Sequence, residues 1–243
     1  MTIPTTASTN AHPPIVSRAE WLAARLELLQ REKEQTRARD ALNATRRRLP
    51  MVAVPADYRF SGVDGEVRFV DLFEGQRQLI VYHFMFAPDW DTGCPGCTNL
   101  ISMYADVKRL HDQNTNFVMV SRAPYAKLAA YRDEHGWTIP WYSSGASTFN
   151  YDFHATVDPS VAPVQHNYRL ADPSENIEPG ELSGMSVFLR LDNDSIFHTY
   201  STFARGVERV TDPWSLLDLT PYGRQEGWED SPDGWPQSSG NHV

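Results

Sequence analysis

The sequence predicts an α/β fold in which helices flank a central mixed sheet and an N-terminal helical extension precedes it. Apolar runs rich in β-branched and aromatic residues alternate with helical patterns between residues 78 and 144. Such alternation predicts right-handed crossovers in a parallel sheet. Two further apolar runs, residues 186–191 and 195–200, flank an Asp-Asn-Asp turn, and this pattern predicts an antiparallel hairpin.

The N-terminal part is expected to be a tail followed by one helix. Residues 1–16 are rich in Thr, Ser and Pro. They are predicted to be disordered, and they lack the apolar stretch of a secretory signal. Ser17 and Glu20 have the spacing of a capping box, and an apolar stripe follows until Pro50 stops the helix. Residues 17–49 are therefore predicted to form an amphipathic helix that packs on its own domain or on a second subunit, as in a homodimer.

Residues 50–222 are expected to form the main domain, and residues 223–243 a polar tail. Strand and hairpin patterns occur at residues 52–54, 58–60, 61–69, 78–86, 116–120 and 141–144. Helical patterns occur at residues 71–75, 94–113, 124–135 and 212–219. The run at 78–86 is almost continuously apolar, which is typical of a strand covered on both faces. Residues 145–182 have mixed patterns, with 149–153 predicted as a strand or a turn.

Charge and hydropathy argue against several classes of partner. A net charge of −9 argues against nucleic acid, since phosphate binding needs a basic face. No segment has the roughly 18 apolar residues of a membrane span, so no membrane association is expected. We therefore expect a cytoplasmic protein. In that compartment thiols are kept reduced, and a close cysteine pair is more often catalytic or metal-binding than a structural staple.

The only two cysteines lie between a predicted strand and a predicted helix, in the run Gly93-Cys94-Pro95-Gly96-Cys97. Free N–H groups at a helix N-terminus stabilise a thiolate and can lower a cysteine pKa from about 8.5 to roughly 3.5–7.5. The spacing favours reversible dithiol–disulfide chemistry, with no cofactor and no assigned metal ligand. Two alternatives stay open: half of a zinc site completed by His or carboxylate ligands, and two half-buried cysteines without chemistry.

Several other residues are expected near the cysteines, at the sheet edge where ligand sites of α/β proteins form. Trp90, Asp91 and Thr92 lie on the preceding loop, Arg122 follows the next strand, and Tyr151 belongs to a run dense in polar aromatics. Trp90 is predicted to cover the disulfide or to be an ordinary aromatic. Arg122 is predicted to lower a thiolate pKa, to bind an anionic substrate, or to form a structural ion pair. Tyr151 is predicted to line the pocket.

Two of the eight histidines, His83 and His198, lie on predicted strands. Hydrogen-bonded core histidines are the favoured interpretation, because buried polar groups are normally paired. Together with the two cysteines, any two of the histidines, which include His83, His111, His154, His166 and His198, would also supply the ligands of a Cys2His2 metal site, although the local histidine pair of a zinc finger is absent from the sequence.

The order of strand, cysteine-bearing helix, strand, helix, hairpin and terminal helix resembles the thioredoxin fold over about residues 50–220. That resemblance implies that Cys94 is the attacking thiol and Cys97 the resolving thiol. More narrowly, the chain is similar to the bacterial domain-of-unknown-function family 899, which implies the same fold. The residues that carry this similarity are 32–34, 46–50, 82–86, 93–97, 121–124, 136–137, 141–144, 149–153, 198–201, 204–206, 217–221 and 223–224.

Three features differ from well-studied thioredoxin-like proteins. Residues 182–186, before the predicted hairpin, include no Pro, whereas thioredoxins place a cis-Pro there facing the cysteines. Pro and Gly are in reverse order between the cysteines, and Gly93 replaces a Trp. The peroxiredoxin pattern Pro-x-x-x-Thr-x-x-Cys is matched by Pro88 and Thr92, but Cys94 comes one residue early.

Together these patterns predict a thiol–disulfide oxidoreductase. Its Cys94 and Cys97 are expected to reduce a disulfide or a peroxide, and a thiol electron donor would restore the dithiol. Two alternatives belong to other classes of protein. One is a thioredoxin-fold protein that binds a metal or a ligand without turnover, and the other is a dimeric interaction module.

Overall fold

The structure is a computed structural model and describes residues 13–55, 57–104, 107–172 and 178–208, with Gly227 and Asp233. The chain divides into two compact units. Of the described residues, the first unit holds those up to Arg48 with Gly227 and Asp233, and the second holds the rest. The helix predicted at 212–219 lies outside the described residues, as do most of the two predicted tails.

The first unit contains the helix α1, Arg18–Arg46, none of whose residues is buried. Its start is the predicted capping box. The Glu20 carboxylate accepts from the Ser17 N–H at 2.9 Å, and Ser17 Oγ accepts from the Glu20 N–H at 3.3 Å. Apolar side chains of its stripe, Trp21 and Leu26 among them, are about half exposed. Their packing on the domain or on a second subunit stays a prediction.

The described residues of the second unit form twelve strands and five further helices. The strands are β1 Val52–Ala53, β2 Arg59–Gly62, β3 Gly65–Arg68, β4 Gln78–His83, β5 Thr115–Ser121, β6 Trp141–Ser143, β7 Thr156–Val157, β8 Gln165–His166, β9 Arg169–Leu170, β10 Gly180–Glu181, β11 Gly184–Arg190 and β12 Ile196–Phe203. The helices are α2 Pro95–Ser102, α3 Lys108–His111, α4 Tyr125–Glu134, α5 Phe149–Asp152 and α6 Arg205–Glu208, with a 3-10 turn at Phe69–Phe73. No helix in the described parts of the chain is long and apolar enough to cross a membrane.

Eight of the strands form one mixed sheet in the order β1-β12-β11-β4-β5-β6-β2-β3. The strands β4, β5 and β6 are parallel, whereas β11 is antiparallel to β4 and to β12. The helix that begins next to the cysteines connects β4 to β5. The central order β12-β11-β4-β5, with that helix directly after β4, is the thioredoxin-like arrangement. The predicted fold class, an α/β thioredoxin-like fold with an N-terminal helical extension, is confirmed.

Two apolar cores cover the sheet, because successive side chains along a strand point to opposite faces. The aromatic core consists of Tyr58, Phe60, Phe69, Leu72, Phe73, Leu79, Val81, Val118, Val120, Phe149, Phe153, Phe188 and Ile196. The thiol-side core consists of Tyr82, Phe84, Phe86, Cys97, Ile101, Phe117, Met119, Ala123, Leu128, Ile139, Trp141, Met185 and Val207. Since β4 and β5 contribute to both cores, the prediction that β4 is covered on both faces is confirmed.

The helix predicted at 94–113 is wrong in its length, because the structure has two shorter helices, α2 and α3, in this range. α2 ends at Ser102, well before the predicted end. Thr98, Asn99 and Ser102 all have side chains that compete for backbone hydrogen bonds, which lowers their helix propensity. The Thr98 hydroxyl does so, because it donates to the Cys94 carbonyl at 2.9 Å.

Two further predictions need correction. The strand predicted at 78–86 leaves the ladder after His83, although the chain beyond it stays bonded to β5. The segment 149–153, predicted as a strand or a turn, forms the short helix α5, Phe149–Asp152, with Phe153 directly after its end. A helical turn brings side chains four residues apart to one face. Both Phe149 and Phe153 therefore enter the aromatic core, which alternation along a strand does not indicate.

Replacing Phe149 tests this packing, because its fully buried ring contacts the rings of Tyr58, Phe69 and Phe188. Phe149→Ala is expected to lower the free energy of unfolding by about 3–5 kcal/mol, since it leaves a cavity. Chemical denaturation followed by circular dichroism measures the change. Val63→Ala, at an exposed turn position, is the control and is expected to change it by less than about 0.5 kcal/mol. Equal losses in both variants would contradict the packing.

Candidate dithiol site

The loop that carries the cysteines stays attached to the sheet after β4 ends. The Phe84 N–H donates to the Val120 carbonyl at 3.0 Å, and the Cys94 N–H donates to the Met85 carbonyl at 3.0 Å. The chain therefore leaves β4, makes a short excursion and returns to the same edge of the sheet. Cys94 is held there by its own backbone.

The start of α2 holds the other side of Cys94. Pro95 is the first helical residue, a position that suits Pro because no N–H partner is needed there. The Cys94 carbonyl accepts from both the N–H and the hydroxyl of Thr98, each at 2.9 Å. The Thr98 hydroxyl lies 2.9 Å from the Tyr131 hydroxyl of α4. This hydrogen bond connects α4 to the first turn of α2.

The position of Cys94 stabilises its thiolate. Hydrogen bonds lower the pKa of Cys94 to about 6: the Cys97 thiol contributes most, and the N–H groups of Cys97 and Gly96 add to it. Partial burial works in the opposite direction. The expectation of a low pKa at a helix N-terminus is met. At neutral pH most of the Cys94 population is therefore thiolate, and the sulfur is half-buried rather than enclosed.

Cys97 has the opposite character. Its thiol is buried, and its pKa is raised well above the usual range, mainly because its proton is shared with the Cys94 sulfur and also because of burial. Hydrogen bonds from the Tyr82 hydroxyl and the Met85 N–H partly counter this rise. Both cysteines are free thiols in this structure. The site thus holds one accessible thiolate and one buried thiol in contact with it.

The two glycines of the motif differ in how much room surrounds them. A Cβ at Gly93 would lie 2.7 Å from a ring carbon of Phe84, so no larger residue fits without moving that ring. A Cβ at Gly96 would have only the Cys94 sulfur within 4 Å, at 3.8 Å. The Phe84 ring therefore explains Gly in the place of the thioredoxin Trp, and Gly96 leaves the sulfur open to one side.

The three loop residues predicted for the site lie beside the motif but are at the surface. Asp91 and Thr92 are exposed, and the Trp90 side chain is 36% exposed. Lys127 of α4 fixes the loop, because its ammonium donates to the carbonyls of Pro88 and Trp90 at 3.0 and 2.8 Å. The prediction that Trp90 covers a disulfide stays a prediction.

Arg122 and Tyr151 lie beside each other, and their place in a substrate pocket stays a prediction. The Arg122 guanidinium donates to the buried carboxylate of Glu181 at 3.1 Å and lies 5.0 Å from the ring centre of Tyr151. Thr156 donates to the same carboxylate at 2.6 Å. Burial raises the pKa of Glu181, and these partners oppose the rise. Arg122 does not contribute to the lowered pKa of Cys94, so of its three predicted roles the ion pair is the one observed.

His83 is a buried, hydrogen-bonded histidine, as predicted, whereas His198 is hydrogen-bonded but only partly buried. His83 Nε2 lies 2.8 Å from Ser186 Oγ, Ser186 Oγ lies 2.8 Å from Ser201 Oγ, and His198 Nε2 lies 2.7 Å from Ser201 Oγ. Complete burial, with a smaller effect of His198, lowers the pKa of His83 to about 3, so it stays neutral. Both rings contact Phe153 of the aromatic core.

The histidines and the cysteines therefore lie on opposite faces of the sheet. Alternation along β4 places His83 on the same face as Val81 of the aromatic core, while Cys97 belongs to the thiol-side core. A Cys2His2 site built from these residues is thus ruled out by the topology. Throughout the parts of the chain that the structure describes, no three His, Cys, Asp or Glu side chains form a group able to hold a metal ion.

Sequence patterns do not single out Tyr82, Thr98 or Lys127, although all three support the site. Tyr82 has the appearance of an ordinary core aromatic in an apolar strand. Alternation along the strand nevertheless predicts which face of the sheet Tyr82 occupies. Tyr82 and Phe84 share one side of β4, and the crossover helix must cover one side. Thr98 and Lys127 act on backbone carbonyls, for which a sequence carries no local signal.

Comparison with known proteins finds a family match and several distant structural similarities. The sequence matches the family described as "Bacterial protein of unknown function (DUF899)" over residues 10–240. No curated protein matches it significantly. Peroxiredoxin Q of Xanthomonas campestris is similar with 14% identity and a TM-score of 0.45, covering 67% of this chain and 92% of that one. Peroxidoxin BcpB of Mycobacterium tuberculosis is similar with 14% identity and a TM-score of 0.44, covering 65% and 86%.

The pH dependence of alkylation tests the electrostatics of the site. The pKa of Cys94 is lowered, so its thiolate persists above about pH 6 and is lost as the pH falls through that value. The alkylation rate of Cys94, followed by peptide mass spectrometry, is expected to rise with a midpoint near pH 6.

Cys97→Ala removes the strongest donor to the Cys94 sulfur and is expected to raise that midpoint. Cys94→Ser is the matched control, because its single remaining thiol is buried and should react slowly at neutral pH. A wild-type midpoint at about 8.5, the value of an unperturbed thiol, would contradict the description of the site.

Proposed function

The chain belongs to the DUF899 family of bacterial proteins, and we propose that it is a thiol–disulfide oxidoreductase. Cys94 is the nucleophile and Cys97 the resolving thiol. The observation that carries the proposal is the asymmetry of the pair: the half-buried Cys94 has a lowered pKa, and the buried Cys97 a raised one. Thiolates attack disulfides and thiols do not, so this asymmetry determines which sulfur reacts first.

The proposed reaction has two exchange steps. The Cys94 thiolate attacks one sulfur of a substrate disulfide, forms a mixed disulfide, and releases the other sulfur, which takes up a proton. Cys97 then attacks the Cys94 sulfur, so that the Cys94–Cys97 disulfide forms and the second substrate sulfur leaves with the proton from Cys97. The substrate has gained two electrons and two protons. A thiol electron donor returns the pair to the dithiol by the reverse exchange.

A disulfide is the better supported substrate, and a peroxide is the alternative. In the peroxide reaction Cys94 would become a sulfenic acid and Cys97 would condense with it, releasing water. The nearby groups favour the first reaction. Arg122, the cation predicted for the site, is paired with Glu181, and Thr92 is exposed on the loop. Gly96 leaves the Cys94 sulfur open toward solvent, which suits a bulky disulfide.

The rival proposal is a member of the fold that binds a metal or ligand without turnover. Two cysteine ligands would need further donors, and the described residues supply no group of three. The interaction module with α1 as a dimer arm is compatible with the oxidoreductase, because the two proposals use different residues. A cytoplasmic location stays part of the proposal, since reducing conditions would keep the pair available as a dithiol.

Trapping the mixed disulfide tests the proposed function. Cys97→Ser cannot resolve, so with oxidised glutathione or a disulfide-containing peptide it is expected to accumulate a mixed disulfide at Cys94, seen by intact mass. The wild type is expected to form the internal Cys94–Cys97 disulfide instead, and Cys94→Ser neither product. Hydrogen peroxide in place of the disulfide identifies the peroxide alternative, through a sulfenic acid on Cys97→Ser formed faster than the mixed disulfide.

Two outcomes would contradict the proposal. One is a wild type that stays fully reduced with every oxidant. The other is Cys94→Ser reacting as fast as the wild type. Elemental analysis of the same preparations distinguishes the rival, because stoichiometric zinc that is lost in Cys94→Ser would support metal binding instead.

A further inference from the structure

We propose that Tyr131, acting through the Thr98 hydroxyl, is a positioning residue that holds Cys94 in place while Cys97 resolves the mixed disulfide. This inference rests on the proposed function and adds a residue of α4 to the same site. Thr98 and Tyr131 lie on different helices, 33 residues apart in the sequence, so no local pattern connects them. Their contact reaches the backbone of the attacking cysteine through two consecutive hydrogen bonds.

The direction of these two hydrogen bonds follows from the number of protons available. A hydroxyl group has one proton to donate and two lone pairs that accept. The Thr98 hydroxyl donates its proton to the Cys94 carbonyl at 2.9 Å. The Thr98 oxygen therefore accepts at its 2.9 Å contact with Tyr131, and the phenol is the donor. The hydrogen bonds thus run from Tyr131 to Thr98 and from Thr98 to the Cys94 carbonyl.

The Tyr131 hydroxyl favours one conformation of Thr98. Threonine in a helix divides between two χ1 rotamers, because its hydroxyl can bond to carbonyls three or four residues back. A donor at Tyr131 favours the rotamer whose oxygen faces α4 and whose proton points to Cys94. The α2 helix has only eight residues, which is short for a helix to be stable by itself. The conformation of its first turn therefore depends on contacts from outside the helix.

The surrounding rings fix the position of Tyr131. Its ring stacks on His135 with centroids 4.3 Å apart, and it contacts Phe86 edge-on with centroids 5.6 Å apart. A Cβ at Gly93 would lie 3.3 Å from a carbon of the Tyr131 ring, so this ring lies against the residue that precedes Cys94. These contacts use only the ring, and they remain when the hydroxyl is removed.

Lys127 makes a second contact from the same face of α4. It lies four residues before Tyr131, a spacing that places two side chains on one face of a helix. Its ammonium donates to the carbonyls of Pro88 and Trp90 at 3.0 and 2.8 Å. The α4 helix therefore holds the segment before the cysteines through Lys127 and the first turn of α2 through Tyr131.

The resolving step is the one that depends on a fixed Cys94 backbone. The Cys94 N–H donates to the Met85 carbonyl, and the Cys94 carbonyl accepts from the N–H and the hydroxyl of Thr98. The first attack needs only an accessible thiolate. In the resolving step the Cys97 sulfur bonds to the Cys94 sulfur, the bond from Cys94 to the substrate breaks, and the substrate sulfur leaves with the Cys97 proton. Because a disulfide forms only within a narrow range of Cα and Cβ separations, this step requires the more precise position.

Tyr131→Phe removes the hydroxyl and keeps the ring. Rapid acid quenching, followed by alkylation and intact mass spectrometry, measures two rates with oxidised glutathione: formation of the mixed disulfide at Cys94, and its conversion to the Cys94–Cys97 disulfide. Tyr131→Phe is expected to slow the conversion about threefold to tenfold, the range for one neutral hydrogen bond. The first rate and its pH midpoint are expected to stay unchanged. Tyr142→Phe, which loses a hydroxyl bonded to Glu74 at 3.4 Å, is the matched control and is expected to change neither rate.

Variants of Thr98 test the route from Tyr131 to Cys94, and they also cover the case in which Tyr131→Phe does not fold. Thr98→Val removes the hydroxyl and is expected to slow the conversion at least as much as Tyr131→Phe. Thr98→Ser keeps the hydroxyl and is expected to stay close to the wild-type rate. The double variant Tyr131→Phe/Thr98→Val is expected to be no slower than Thr98→Val alone, because the Tyr131 hydroxyl acts only through Thr98.

Three outcomes would overturn the positioning role of Tyr131. They are an unchanged conversion rate in either folded single variant, equal slowing of both rates, and slowing that adds in the double variant. Each of them leaves the proposed function intact, because the wild type still completes both steps. If the wild type forms neither a mixed nor an internal disulfide, the proposed function itself fails, so the two failures are distinguishable.

Discussion

The hydrogen bond from the Cys97 thiol to the Cys94 sulfur is the interaction on which the proposed chemistry depends. It lowers the pKa of Cys94 and raises that of Cys97. Two chemically identical side chains therefore differ in role, with Cys94 the attacking thiolate and Cys97 the resolving thiol. The bond forms because the Met85 carbonyl fixes the backbone of Cys94 and the first turn of α2 brings Cys97 over it. The sheet therefore controls the thiols through backbone contacts.

Alternation along β4 keeps two buried polar systems apart. Tyr82 faces the thiols, and His83 faces the aromatic core, where a chain of hydroxyls links it to His198. The Arg122 guanidinium is paired with the Glu181 carboxylate. The thiolate is consequently stabilised by a thiol and by N–H dipoles rather than by a formal positive charge. Because such short-range hydrogen bonds are little screened by salt, the reactivity of Cys94 should depend only weakly on ionic strength.

Local patterns were sufficient to predict most of the fold. The apolar run of β4, the position of the cysteines after it and the final hairpin predicted the order of the elements, because each depends on neighbouring residues. The division of residues 94–113 into two helices and the helical turn at Phe149 depend on packing that no local pattern carries. The site divides in the same way: Cys94 and Cys97 follow from spacing, whereas Thr98 and Lys127 become site residues only through their hydrogen bonds to backbone carbonyls of the loop and of Cys94.

Equilibrium redox titration shows whether Cys94 and Cys97 act as one dithiol–disulfide pair. The protein is equilibrated with graded ratios of reduced to oxidised glutathione, whose potential lies in the range of CxxC pairs, then quenched by alkylation and weighed intact. We expect one two-electron transition in which the Cys94 and Cys97 thiols are lost together to a single internal disulfide, and no such transition in Cys94→Ser. Thiols that stay free at the most oxidising ratio, or that are lost separately, would contradict it.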